Sequence, residues 1–243
     1  MISATDKAVL QFSGGKDSLA CLYLLRPYWD RLTVAWTNTG AAYPETVELM
    51  ARVRAMVPNF LEITSDQPAN IARHGPPADV VAVRAMPQGR VLTQYAGAPV
   101  QSFLECCSAN IWHPMNDAMK AMGATLIFRG QKLSDDRKTA IRSGYTEGGV
   151  RYVFPIEDWT DADVLAYLKE VGVELPAHYA YTKTSLDCWS CTAYLNENQG
   201  RLAHMREAEP VRWAAYEPRL RVVLEAAAKE VAVINESLGV VHA

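Results

Sequence analysis

A glycine pair set between a strand-like run and a helix-like run restricts this chain more than any other feature. Ala8-Val9-Leu10-Gln11-Phe12 has the continuous apolar character of a buried strand, and Leu19-Ala20-Cys21-Leu22-Tyr23-Leu24-Leu25 that of a buried helix. Ser13-Gly14-Gly15-Lys16-Asp17-Ser18 joins them. Two adjacent glycines let the backbone turn sharply and bring its N–H groups close to an anion, while the helix that follows aims its positive end at the same point. Lys16 adds a full charge. The segment is not G-x-x-x-x-G-K-[ST], because the first glycine of that pattern has no counterpart here. A glycine pair can also do no more than turn a strand into a helix, but the strand, loop and helix fall in the order that anion binding requires. Asp17 would either orient Mg²⁺ or cap the helix.

The rest of the chain alternates in the same manner. A second strand is expected over 32–37, a helix over 44–57 with Val47, Met50, Ala51 and Val57 on one side, and a third strand over 60–63. From 67 to 105, prolines and glycines break the pattern into loops and short elements, a length of loop that usually covers a site. A helix follows over 111–122, with strands at 125–128 and 152–156. Thr160 and Asp163 read as a cap with an acidic N3 residue, opening a helix whose apolar face is Val164, Leu165 and Leu168. Beyond Cys191 the chain reads as helical. Leu220, Val223, Leu224, Ala227, Val231 and Ile234 recur there at helical spacing, as in a core or dimer contact. The fold class is therefore α/β, a Rossmann-like and mostly parallel sheet with helices on both faces and a helical C-terminal subdomain. The division expected is 1–185 for the nucleotide-binding part and 186–243 for the segment with Cys188 and the helices, within one structural unit.

The chain has 243 residues, with 24 basic against 27 acidic, which gives no electrostatic case for a polyanion partner. No signal-peptide pattern opens it. Lys229, Glu230 and Glu236 interrupt its most apolar stretch, so no membrane span is expected and the location is read as cytoplasmic. There the five cysteines would be reduced thiols or metal ligands.

Ser-Gly-Gly-Lys-Asp-Ser resembles the phosphate loop of the ATP pyrophosphatase (PP-loop) superfamily, whose members cleave ATP between its α- and β-phosphates. Three further segments resemble the sulfonucleotide (PAPS and APS) reductase branch of that superfamily. Asn38-Thr39-Gly40-Ala41-Ala42-Tyr43-Pro44-Glu45-Thr46 is similar to the family's T-G-x-x-x-P-E-T stretch, which implies a nucleotide-side loop containing Thr39 and Gly40. Arg129-Gly130-Gln131-Lys132-Leu133-Ser134-Asp135-Asp136-Arg137 resembles its G-x-R-x-x-E-S-x-R segment, with Lys132 in place of the first arginine and Asp135-Asp136 in place of Glu-Ser. Lys132 and Arg137, after a strand end, are candidates for phosphate or sulfate contacts, the alternative being a solvated charged loop. Phe154-Pro155-Ile156-Glu157-Asp158-Trp159-Thr160-Asp161-Ala162-Asp163-Val164 resembles the P-I-x-D-W-x-x-x-D-V signature. On structural grounds Trp159 is a packing residue and Asp158 a turn former.

Cys106-Cys107 and Cys188-Trp189-Ser190-Cys191 supply two pairs of thiolates, a set that can ligate a 4Fe-4S cluster or a structural zinc, or stay unmetallated. The tandem pair with a distant Cys-x-x-Cys resembles the cluster-binding arrangement of APS reductases, which implies a 4Fe-4S cofactor. Cys21 reads as a buried small hydrophobe. His74, His113, His178 and His204 read as surface or packing residues. The reductases act through a C-terminal nucleophilic cysteine, and no cysteine follows Cys191 in this sequence.

Three functions follow as expectations. The first is an ATP pyrophosphatase-type enzyme, with a cluster near its site, that adenylates a substrate oxygen and passes the product to a sulfur or other nucleophile. In it Lys16, Asp17, Lys132 and Arg137 are catalytic, Ser13, Gly14, Gly15, Lys16, Asp17, Ser18, Thr39, Gly40 and Gly130 bind nucleotide, and the cofactors are the cluster, Mg²⁺ and ATP (or APS/PAPS). The second is a divergent APS/PAPS reductase that takes its thiol from another protein. The third is a protein that senses adenine nucleotide or redox state without turnover. The partners in view are adenine nucleotide, a sulfur or electron donor protein, a nucleic-acid or small-molecule acceptor, and a second copy in a homodimer; no membrane is expected.

Overall fold

The computed structural model describes residues 2–4, 6–136, 138–186 and 188–240. Its first half carries β1 (Ala8–Gln11), α1 (Lys16–Leu24), β2 (Leu32–Asn38), α2 (Pro44–Met56), β3 (Phe60–Thr64), α3 (Gln67–His74), β4 (Pro77–Ala78), α4 (Pro87–Thr93), β5 (Gln101–Ser102), α5 (Phe103–Cys107) and α6 (His113–Met122). Then come β6 (Leu126–Phe128), β7 (Thr146–Glu147), β8 (Val150–Val153), α7 (Asp161–Glu170), α8 (Gln199–Ala208) and α9 (Pro210–Ser237). A π-helical turn, Ser108–Trp112, joins α5 to α6.

The chain forms two compact units. The first comprises Met1–Ser65, Ile111–Ala180 and Thr184–Asp187. Its sheet has the order β3-β2-β1-β6-β8-β7, parallel throughout except for the antiparallel β7–β8 edge. β1 pairs with β2 from Ala8 opposite Leu32 to Gln11 opposite Ala35, and on its other side with β6 from Ala8 opposite Leu126 to Leu10 opposite Phe128. Strand order reverses at β1, and loops leaving the carboxyl ends of β1 and β6 diverge to form the crevice where open α/β sheets take ligands.

Side chains alternate along these strands, so the sheet has two cores. Leu10, Phe12, Val34, Trp36 and Phe128 pack with Leu19 and Leu22 of α1, Leu49, Met50 and Val53 of α2, and Val164 and Leu168 of α7. Val9, Ala35 and Ile127 face the other way, onto Met115 and Met119 of α6. The expected α/β class, with helices on both faces of a mostly parallel sheet, is the architecture found. The Thr160–Asp163 capping box also forms, each side chain bonding the other's backbone N–H.

Two helix phases differ from expectation. In α2 the buried side is Thr46, Leu49, Met50 and Val53, while Val47 is exposed. Met50 and Val57, also read on that side, are buried. In α7 Leu165 is exposed, while Val164 and Leu168 are buried in the core and Tyr167 packs against it.

The second unit comprises Asp66–Asn110, Tyr181–Lys183 and Cys188–Ala243. The segment read as loops and short elements thus falls in the same unit as the C-terminal helices. Its two-stranded β4–β5 ladder and α9 share a small core of Ala78, Ala82, Ala85, Val100, Val223 and Ala226. Residues 192–198 are not helical, so the helices begin later than Cys191. Of the stripe read as core or dimer contact, Val223 is buried, whereas Leu224, Val231 and Ile234 are exposed.

Candidate functional site

The Ser13–Ser18 loop leaves β1 and enters α1 in the first unit. Gly14 takes a φ of 83°, which a residue with a Cβ rarely adopts. Gly15 is the N-cap of α1 and has no side chain to cap with. Hydroxyl oxygens meet the loop's amides instead. Gly14 N–H donates to Ser18 Oγ at 3.1 Å, Gly15 N–H to Ser13 Oγ at 3.4 Å, and Lys16 N–H to Tyr179 Oη at 2.7 Å. Ser18 Oγ in turn donates to Gly15 O at 2.9 Å, which pins the turn. A Cβ on Gly15 would stand 3.0 Å from Ser185 Cβ, and one on Gly130 2.8 Å from Asp17 C and Ser18 N. The loop therefore fits closely against the segment leaving β6.

Two lysines and three carboxylates converge there. Lys16 Nζ lies 3.0 Å from Asp17 Oδ2 and 3.0 Å from Asp161 Oδ1. Lys132 Nζ lies 2.7 Å from Asp17 Oδ1, 2.8 Å from Asp135 Oδ1 and 3.3 Å from Asp161 Oδ1. Lys132 is 1% exposed and Lys16 8%. Burial alone would lower the Lys132 pKa, but the hydrogen bonds and charges of Asp135 and Asp17 outweigh it and raise it above the usual lysine value. Burial would likewise raise the Asp161 carboxyl, which Lys16 and Lys132 hold below its ordinary range.

Lys132 is thus not a solvated loop charge. It is the buried centre of an ionic cluster that ties β6's outgoing loop to α1. Asp17 does not cap its helix; it bridges the two lysines. Arg137 lies outside the described residues. Thr39 and Gly40 follow β2 at the same carboxyl edge of the sheet, where Gly40 N–H donates to Asn38 Oδ1 at 3.1 Å and Ala41 N–H to Thr39 Oγ1 at 3.4 Å. Of the predicted residues, the structure brings together the loop, Gly130 and Lys132.

Sequence reading missed Asp161 and Tyr179. The signal for Asp161 was available, since it is the first helical residue after the Thr160 cap, where an acidic side chain faces the helix's positive end. Tyr179 and His178 come from a short turn, Ala177–Ala180, that carries no motif. His178 is 4% exposed, stacks on Tyr179 with centroids 4.3 Å apart, and has no hydrogen-bond partner at either ring nitrogen among the described residues. Burial lowers its pKa, with the nearby Glu45 opposing.

The four paired cysteines all lie in the second unit. Gln67 Nε2 and Asn110 Nδ2 each donate to Cys106 Sγ at 3.8 Å, and Cys107 Sγ is 3.5 Å from Tyr194 Oη. Arg201, buried, donates to the carbonyls of Cys188 and Cys191 at 3.3 Å each. Burial pushes the Cys106 thiol up to about 11, against the lowering pull of Gln67 and with the Cys191 sulfur adding to the rise. Among the described residues no group of three or more His, Cys, Asp or Glu side chains is set to hold a metal ion. Cys21, on α1, is fully buried, and burial raises its thiol pKa as well. No helix among the described residues is long and apolar enough to cross a membrane.

The sequence profile of the phosphoadenosine phosphosulfate reductase domain matches residues 7–194. The chain is 26% identical over 167 residues to a phosphoadenosine 5'-phosphosulfate reductase of Photorhabdus laumondii, a match covering 68% of this chain and 62% of that one. It is 27% identical over 156 residues to an adenosine 5'-phosphosulfate reductase of Burkholderia cepacia, covering 64% and 57%. Against sulfate adenylyltransferase subunit 2 of a Mycobacterium species it is 26% identical over 200 residues, covering 73% and 60%. The matches therefore span about three fifths of these relatives. In fold the chain is similar to the crystal structure of a phosphoadenylyl-sulfate reductase from Candida auris, at a TM-score of 0.51 and 18% identity over 76% of this chain and 83% of that one.

Proposed function

Because this chain belongs to the phosphoadenosine phosphosulfate reductase domain family, we propose that Ser13–Ser18 holds the phosphates of an adenine nucleotide and that the enzyme transfers its adenylyl group to a substrate oxygen. The observation that carries this reading is the junction of the loop with Lys132. A glycine turn, a helix N-terminus and two lysines meet at the strand-order reversal of a parallel sheet. The intact Lys16-Asp17-Ser18 run favours ATP, as does similarity to a sulfate adenylyltransferase subunit.

In the reaction a substrate oxygen attacks the α-phosphorus. The bond from that phosphorus to the bridging oxygen of the β-phosphate breaks, and its electron pair leaves with pyrophosphate. Lys16 lies on the first turn of α1 and Lys132 beside it through Asp17, so both ammonium groups stabilise the charge that grows on pyrophosphate. Thr39 and Gly40 line the nucleotide side, and Gly130 allows the close approach of backbone to backbone beneath the phosphates. Asp17, Asp135 and Asp161 do not fit a protein-held Mg²⁺, because ammonium groups take all three. The ion belongs to the substrate, as counter-ion of the nucleotide's phosphates.

Cys106, Cys107, Cys188 and Cys191 fit a 4Fe-4S cluster by donor chemistry: four sulfurs in one unit, one of them receiving two buried amide donors. Thiolates on separate irons need not converge on one point as the ligands of a single zinc do. Such a cluster, when bound, supplies one-electron transfer or fixed charge.

A second reading rests on the similarity to two reductases. An external thiolate would attack the sulfur of APS or PAPS, breaking its bond to the bridging oxygen and releasing the nucleotide. Anaerobic purification followed by incubation with ATP, APS and PAPS separately distinguishes the readings. AMP transfer with pyrophosphate release supports the first, thiol-dependent sulfite the second, and neither product overturns both in favour of a nucleotide sensor.

A further inference from the structure

Three buried polar side chains in the second unit serve neither its apolar core nor any helix cap. Gln67 is 2% exposed, Asn110 4% and Ser190 2%. They form a chain that ends on one sulfur. Ser190 Oγ donates to Gln67 Oε1 at 2.6 Å, which fixes the amide's orientation and turns Nε2 toward Cys106 Sγ at 3.8 Å. Asn110, one helical turn after Cys106, donates through Nδ2 to Cys106 O at 2.8 Å and to Cys106 Sγ at 3.8 Å. Both approaches present N–H donors, so the sulfur is cast as an acceptor.

Burying amide and hydroxyl groups is costly unless each is bonded; Asn110 Nδ2 has the Cys106 carbonyl, whereas Gln67 Nε2 turns to the sulfur, which serves it best with electron density to accept. A neutral thiol is a weak acceptor and a thiolate a strong one. A metal-bound thiolate keeps that density while the metal balances the charge.

We propose that Gln67 and Asn110, with Ser190 orienting Gln67, are positioning residues that set the reduction potential of the iron-sulfur cluster at Cys106. The inference rests on the cluster reading above. Hydrogen bonds to a ligating sulfur stabilise the more negative, reduced form and raise the potential. Ser190 lies inside the Cys-x-x-Cys segment, so the same chain of bonds links that segment to the tandem pair.

The test is a redox titration of the anaerobically purified full chain, after iron and sulfide analysis, followed by its visible and electron paramagnetic resonance spectra. Gln67→Leu should shift the one-electron equilibrium about tenfold toward the oxidised form, about 59 mV downward. Asn110→Leu should shift it in the same direction. Gln67→Glu, which keeps the side-chain size and the Ser190 bond but faces the sulfur with an oxygen, should lower the potential further than Gln67→Leu. Ser190→Ala should give a smaller fall. Thr192→Val, which removes a buried 2.5 Å bond to Pro77 O without touching a sulfur, should leave the potential unchanged. Full iron and sulfide with wild-type potentials in the Gln67 and Asn110 variants overturns the inference alone. Protein without iron and sulfide overturns the cluster reading and the inference with it.

Discussion

Replacing Gly130 with alanine tests how the end of β6 meets the phosphate loop. The added methyl would stand 2.8 Å from Asp17 C, 2.8 Å from Ser18 N and 2.9 Å from Asp17 O. All three are main-chain atoms of the first turn of α1, so no side chain can swing aside. Overpacking of a close-packed interior costs about 1–3 kcal/mol, and three main-chain contacts place this change at about 3 kcal/mol on that scale. With a urea dependence of about 2–3 kcal/mol per molar for a domain this large, the unfolding midpoint of the sheet unit should fall by about 1 M. The strand cannot retreat without parting from β1, to which Leu126, Ile127 and Phe128 are all paired. The strain therefore falls on α1, displacing the Lys16 amide and ammonium, and nucleotide affinity measured by calorimetry should drop at least about tenfold, or about 1.4 kcal/mol. A Gly130→Ala protein with the wild-type midpoint and the wild-type affinity would refute the reasoning.

Lys132→Met removes the buried ammonium from among Asp17, Asp135 and Asp161. Breaking a buried pair costs about 3–5 kcal/mol, and the two nearest carboxylates are partly exposed, so a loss near about 3 kcal/mol should appear in urea unfolding; an unchanged midpoint would contradict the cluster's structural role. The His178 pKa is lowered from 6.5 by burial, so the unfolded chain takes up its proton first as pH falls. The stability that neutral His178 preserves is complete above pH 6.5 and is lost as pH drops toward the folded value. His178→Gln should flatten the stability curve between about pH 7 and 5, and an unaltered slope would count against burial of the neutral ring. Cys106→Ser and Cys188→Ser should each lower the iron bound per chain in anaerobic preparations, and full iron content in both would exclude them as ligands.

The sheet was largely legible because each of its signals is local. An apolar run, a glycine pair and a second apolar run place β1, the loop and α1 within Ala8–Leu24 with little reference to the rest of the chain, and Thr160 with Asp163 announces α7 in the same way. The ionic cluster was less legible because Lys132 and Asp17 are 115 positions apart, and charged loop residues look alike whether buried or solvated. Its motif marked Lys132 as a cation near the loop, but only topology, with β6 beside β1, makes it the buried centre of three carboxylates. Tyr179 on the Lys16 amide and Gln67 on Cys106 were hidden for the same reason: an unremarkable side chain acquires its role from a partner far along the chain. The stripe on α9, read as core or dimer contact, is core only in part. Helical spacing shows that one side is apolar, but not that anything covers it, and Leu224, Val231 and Ile234 are exposed.

Equilibrium calorimetry with ATP and Mg²⁺, and separately with APS, on wild type and Gly15→Val reaches the central claim most directly. The added side chain would begin 3.0 Å from Ser185 Cβ and 3.5 Å from Tyr179 Oη, at the helix N-cap itself. Saturable binding by the wild-type chain to at least one nucleotide, abolished in a folded Gly15→Val variant, is the result the account predicts. A wild-type chain that binds neither nucleotide, or a Gly15→Val variant that binds as tightly as wild type, would contradict it.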